Sequence, residues 1–118
     1  MSPTIVYDKQ DKPFLALGTP SGTRILTCVM QTVLNLLEHD MGLWDAVSAT
    51  RYHHQWNPEE IRIGPPYFSD ETESKLKKMG HKINHKALGC KIQAIMKYAD
   101  GKLHGVSDPR EEGMSLGM

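Results

Sequence analysis

Between residues 23 and 38, the apolar side chains Ile25, Leu26, Val29, Met30, Val33, Leu34, Leu36 and Leu37 recur every third and fourth position. That period wraps them around a helix as a wide apolar face, which has to be covered by something large. Whatever else this chain does, it must present a broad apolar surface to one helix. Its 118 residues make one domain at most. A freestanding domain of that size buries only roughly two thirds of its unfolded-chain surface.

The covering surface is legible as strands. Thr4-Ile5-Val6-Tyr7 and Phe14-Leu15-Ala16-Leu17 are short apolar runs on either side of a polar, Pro-ended spacer, which predicts antiparallel strands over 3–8 and 13–18. Near the other end, Asp100-Gly101 separates residues 93–98 from 102–106, the strongest hairpin signal in the chain. Between the hairpins, Leu43-Trp44-Asp45-Ala46-Val47-Ser48-Ala49 predicts a second, short helix ending near Arg51. Residues 53–57 read as irregular, Ile61-Arg62-Ile63 as a short strand, and residues 81–84 as another. A third helix starts at Ser69 or Asp70. Glu71 and Glu73 lie in its first turn and Lys75, Lys77 and Lys78 in its last, with Gly80 as the stop, an order that complements the helix dipole. The layout is α+β, helices packed on one side of antiparallel strands, within a single domain over 1–118. Two separate hairpins are marginal alone and leave open edges, so the domain reads as part of a larger sheet.

Charge excludes some partners. Fourteen Lys and Arg balance fourteen Asp and Glu, so no overall field recruits nucleic acid or an anionic membrane. The longest apolar stretch is interrupted by Thr32 and Asn35 and is too short to span a bilayer. As written, the N-terminus shows no signal peptide. Cys28 lies in the apolar helical run and reads as a small buried hydrophobe. The sequence permits a Cys28–Cys90 disulfide without pointing to one, and free thiols would suit a reducing compartment.

Candidate chemistry is sparse. Gly18-Thr19-Pro20-Ser21-Gly22-Thr23-Arg24 joins a strand end to a helix start, where backbone N–H groups suit an anion or a developing oxyanion. The plainer reading is a turn with Ser21 or Thr23 capping the helix. His53 and His54 are adjacent and point in different directions, and His81 and His85 follow a helix stop. No metal-ligand set accompanies any of them. Ser107-Asp108-Pro109-Arg110 reads as a turn with an Asp108–Arg110 ion pair holding the C-terminal loop. No nucleophile with a base beside it is evident.

Four segments together resemble the gamma-glutamyltransferase (gamma-glutamyltranspeptidase) family: Met1-Ser2-Pro3-Thr4-Ile5-Val6, the turn at 18–24, Arg51-Tyr52-His53-His54-Gln55-Trp56 and Ser107-Asp108-Pro109-Arg110. They occur in the family's order and span essentially the whole chain, which is similar to the C-terminal part of the family's small subunit. The resemblance implies part of an N-terminal-nucleophile hydrolase fold, an αββα sandwich. It implies a proenzyme whose new N-terminal Thr attacks the gamma-glutamyl amide of glutathione and passes the acyl group to water or an amino acid. Neither cofactor nor metal enters that chemistry. Paired glycines of the turn supply oxyanion-hole amides in the family, and carried over they are Ser21 and Gly22. Ser21 stands where the family has its first Gly, at a cost of about 1 kcal/mol or more if the position needs positive φ.

The family's nucleophilic Thr, its glutamate-gripping Arg and its Ser-Ser pair lie upstream of the position of Met1. Thr4, Thr19 and Thr23 do not replace a Thr whose free amine activates it. The chain alone is therefore expected to be inactive. Its implied partners are the large subunit and the N-terminal part of the small subunit, with glutathione or other gamma-glutamyl compounds as the parent's substrates. The alternative is a catalytically dead remnant that self-associates or binds a partner through its open edges. The family is typically periplasmic, secreted or membrane-anchored.

Overall fold

The computed structural model describes residues 1–116; Gly117 and Met118 lie outside the described residues. The chain divides into two compact units, one formed by Met1–Ser48 with the chain from Cys90 onward, the other by Ala49–Gly89.

The first unit is built on both hairpins. Strand β1 (Thr4–Tyr7) pairs antiparallel with β2 (Pro13–Gly18), Thr4 opposite Leu17 and Val6 opposite Leu15. Their spacer closes around Asp8, whose Oδ1 accepts from the N–H groups of Gln10 and Lys12 at 2.8 and 3.0 Å. These N–H bonds, that of Lys12 foremost, hold the Asp8 carboxyl below the usual carboxylate range. Strands β6 (Gln93–Lys97) and β7 (Leu103–Ser107) form the second hairpin, turning through Gly101 at φ 82°. The hairpins do not stand apart. β2 pairs with β6, Leu17 opposite Ala94, giving one antiparallel sheet in the order β1-β2-β6-β7.

Alternation then sorts the sheet's faces. Leu15, Leu17 and Ala94 are buried with Cys28, Val29 and Leu36 of helix α1 (Ile25–Leu37) and Leu43, Ala46 and Val47 of helix α2 (Leu43–Ser48). Ile5, Ile95 and Leu103 of the sheet stay exposed. The helix face expected to need a large partner is half covered: Leu26, Met30, Leu34 and Leu37 remain exposed, Leu26 at 78%.

In one respect the sequence reading is corrected. Cys28 is buried as expected, but it is not an unbonded hydrophobe; it is disulfide-bonded to Cys90 across 62 residues. Only the return of the chain into β6 brings Cys90 beside α1. Closing a loop of that length stabilises the fold by about 4 kcal/mol in the chain-entropy account.

In the second unit, β3 (Arg51–His54) runs antiparallel to β4 (Ile61–Gly64), and β5 (Ile83–His85) runs parallel to β4. Residues 51–54 are thus a strand where the sequence suggested no regular structure from 53 onward. Arg51 and His53 are its buried members and Tyr52 and His54 its exposed ones, so no apolar alternation announced it. Helix α3 (Asp70–Lys78) connects β4 to β5 with the caps its sequence called for. Ser69 Oγ accepts from the Thr72 N–H at 3.3 Å, and Gly80 follows at φ 94°. Buried Glu73 of α3 accepts from His85 Nε2 of β5 at 2.7 Å, and the His85 ring stacks on Tyr67. Ile61, Ile63 and Leu88 supply the buried apolar side chains.

Candidate functional site

Strand β2 ends at Gly18 and delivers the chain into Thr19, which is fully buried. Its hydroxyl donates to the Pro20 carbonyl at 2.8 Å and accepts from the Lys91 N–H at 2.7 Å. That pair of bonds fixes the foot of the turn. The next residues adopt positive φ in succession, Ser21 at 149° and Gly22 at 57°. Gly22 has open space where a Cβ would stand, so its backbone angle, not crowding, is what favours glycine. A single 3-10 turn, Gly22–Arg24, then feeds directly into α1.

Ser21 does not cap this turn through its side chain. Its Oγ accepts from Arg24 Nε at 3.0 Å, while its carbonyl accepts from the Arg24 N–H at 3.2 Å. Arg24 thus brackets Ser21 from side chain and backbone together. The L side chain at φ 149° costs about 1 kcal/mol or more, and the guanidinium contact offsets part of it. The helix start that follows has N–H groups without i−4 carbonyls and a positive dipole end, so the chemistry on offer is recognition of an anion or of charge developing on an oxygen.

The segment that receives this turn is Cys90-Lys91-Ile92. Lys91 holds Thr19, and its Nζ pairs with Glu111 at 2.5 Å. The Ile92 N–H donates to Asp108 Oδ2 at 3.0 Å, and the Asp108 N–H returns to the Ile92 carbonyl at 2.9 Å. Asp108 is 1% exposed, and its Oδ1 accepts from the N–H and from Nη1 of Arg110, both at 3.0 Å. Arg110 then donates to the Val47 and Ser48 carbonyls at 3.1 and 2.8 Å, capping the last turn of α2. The Asp108–Arg110 pair is the structural brace expected of it. Sequence reading missed Thr19, Lys91 and the disulfide as supports of the turn, since nothing in their spacing marks a contact across about seventy residues.

The paired histidines serve their own unit. His53 Nε2 bonds Gln55 Oε1 at 3.0 Å, and His54 Nδ1 accepts from the Trp56 N–H at 3.1 Å. Among the described residues, no group of three His, Cys, Asp or Glu is placed to hold a metal ion, and no helix is long and apolar enough to cross a membrane.

Comparison with known proteins bears on the whole chain. The sequence model of the gamma-glutamyltranspeptidase family matches residues 1–118. The glutathione hydrolase proenzyme of Escherichia coli (strain K12) is 43% identical over 110 residues, 93% of this chain and 19% of that protein. The glutathione hydrolase proenzyme of Pseudomonas sp. (strain A14) is 36% identical over 99% of this chain and 22% of that protein. The chain therefore spans about a fifth of the length of these relatives. Among solved structures, the gamma-glutamyltranspeptidase of Pseudomonas nitroreducens superposes with a TM-score of 0.92 at 33% identity, covering 100% of this chain and 62% of that one. The α+β arrangement is the one found in that enzyme.

Proposed function

The chain belongs to the gamma-glutamyltranspeptidase family, and from that premise we propose that it supplies the oxyanion-binding turn of an enzyme that cleaves gamma-glutamyl amides. The backbone N–H groups of Ser21 and Gly22 are the donors. They receive the negative charge that develops on the amide oxygen as the parent enzyme's nucleophilic Thr, which is not among these 118 residues, attacks gamma-glutamyl compounds such as glutathione. The observation that carries this reading is the pair of successive positive φ angles at the foot of α1. They occur where the family's motif places its two glycines. Donors held there before the reaction stabilise the transition state without reorganising, and one such donor is worth a factor of ~100–1,000 in rate.

The remaining parts of the enzyme would come from the large subunit and the N-terminal part of the small subunit. The exposed Ile5, Ile95 and Leu103 on the sheet's outer face and Leu26 and Met30 on α1 support such partners, because apolar surface on two sides of one unit favours further layers.

A second reading draws on Ser21 itself. A strained Ser in place of Gly suits a site that no longer needs precise donors, and the same apolar surfaces would then serve self-association or binding. One experiment separates the two. The 118 residues replace the matching C-terminal fifth of the Escherichia coli glutathione hydrolase proenzyme, and chromophore release from a gamma-glutamyl anilide is measured. The first reading expects release by this chimera, increased by Ser21→Gly by about fivefold, the worth of relieving about 1 kcal/mol of strain at a donor already in place. A chimera that folds and matures yet releases nothing, even with Ser21→Gly, refutes it and leaves the binding module. The 118-residue chain alone is expected to release none.

A further inference from the structure

Three consecutive residues hold the turn in place: Cys90 is bonded to Cys28 of α1, Lys91 donates to Thr19 at the foot of the turn, and Ile92 is tied to Asp108. Cys90 Sγ also lies 3.9 Å from the Arg24 carbonyl, at the turn's other end. Residues 18–24 are thus bracketed between a hydrogen bond at one side and a covalent bond, one helical turn into α1, at the other. Cys90 is also the residue at which the chain re-enters the first unit after the 41 residues of Ala49–Gly89. Without the disulfide, no bond ties Cys90 and Lys91 covalently to α1 across the turn, and their place rests on the start of β6 at Gln93 and on hydrogen bonds.

We propose that the Cys28–Cys90 disulfide is an oxidation-dependent clamp that positions the turn, so that reduction loosens Ser21 and Gly22 while the sheet stays folded. The step is a thiol–disulfide exchange. A dithiol such as dithiothreitol breaks the Sγ–Sγ bond and is oxidised to its own cyclic disulfide. Its two thiol hydrogens end on the sulfurs of Cys28 and Cys90. Both cysteines are buried, at 0% and 3% exposure, so exchange waits on local opening of residues 90–92. Once the bond is broken, Lys91 keeps only its hydrogen bonds and its ion pair with Glu111, and opening of that short segment releases Thr19 with it. The consequence for catalysis rests on the reading of Ser21 and Gly22 as donors. The clamp itself does not.

Amide hydrogen exchange on the 118-residue chain tests it, comparing the air-oxidised protein, the same protein in dithiothreitol, and the double variant Cys28→Ala/Cys90→Ala. Peptides covering 18–24 should exchange roughly tenfold faster or more in the reduced and double-variant proteins. The β1–β2 spacer at 8–12 and helix α3 should keep their rates. Thr19→Val, which removes the hydroxyl's bonds to the Lys91 N–H and the Pro20 carbonyl, should speed exchange at 18–24 severalfold with the disulfide intact, so the test survives a double variant that fails to fold. Free thiols in the oxidised protein, an oxidised chain unprotected at 18–24, unchanged exchange there, or acceleration spread evenly over the chain would each overturn the clamp. If exchange shows the clamp while the chimera is inactive in both redox states, the donor reading falls and the clamp stands.

Discussion

Replacing Asp108 by alanine should destabilise the first unit more than any exposed substitution in the chain. The magnitude follows from what the carboxylate holds. Asp108 is 1% exposed, its Oδ2 accepts from the N–H of Ile92, itself fully buried, and its Oδ1 takes two donors of Arg110. Removing the acceptor strands the Ile92 N–H, at about 1–3 kcal/mol for a buried unsatisfied donor. Arg110 loses its counter-charge but is 20% exposed and still donates to the Val47 and Ser48 carbonyls, so its share is nearer 1–2 kcal/mol. Together, Asp108→Ala should cost about 2–5 kcal/mol, against a total stability of ~5–15 kcal/mol for an ordinary domain. At about 4 °C per kcal/mol for this size, Tm should fall by roughly 8–20 °C.

Urea unfolding followed by tryptophan fluorescence measures the loss. The chain has two Trp, Trp44 in α2 and Trp56 in the other unit, so a Trp56→Phe background isolates the first unit's signal. A double-mutant cycle with Arg110→Ala should return a coupling of at least about 1 kcal/mol, because both residues belong to one network. A loss below about 1 kcal/mol for Asp108→Ala would refute the reasoning. It would mean that Ile92 and Arg110 find other partners, and that the turn does not depend on this brace.

In the second unit, Glu73→Gln keeps the shape but turns a charge-assisted bond to His85 into a neutral one; about 1 kcal/mol should be lost by urea unfolding read through Trp56 in a Trp44→Phe background. Ser69→Ala removes the cap of α3 and should cost about 1 kcal/mol by the same assay. Lys75→Ala, which breaks only the exposed i,i+4 pair with Glu71, should stay within about 0.5 kcal/mol and serves as the control.

Legibility tracked how local each signal was. The β1–β2 and β6–β7 hairpins and α3 with its Ser69 cap and Gly80 stop were all readable, because each is written within a single short stretch of chain. The strand β3 was missed. Its only mark is the burial of Arg51 and His53 against β4, and polar residues hide that alternation. The turn at 18–24 stood out by its glycines and its motif, yet the support under it did not.

The amino-acid order by itself determined the helices, the hairpins, the place of the turn and the family, since these depend on neighbours along the chain and on motifs in sequence order. Tertiary structure alone decided that β2 joins β6 into one sheet, that Cys28 meets Cys90, and that Thr19, Lys91 and Asp108 form one bracket beneath Ser21 and Gly22. Those contacts link residues 16 to 81 positions apart, and what places them together is burial of the apolar faces of β2, β6 and α1. That burial is a property of the packed chain, and no window of the sequence contains it.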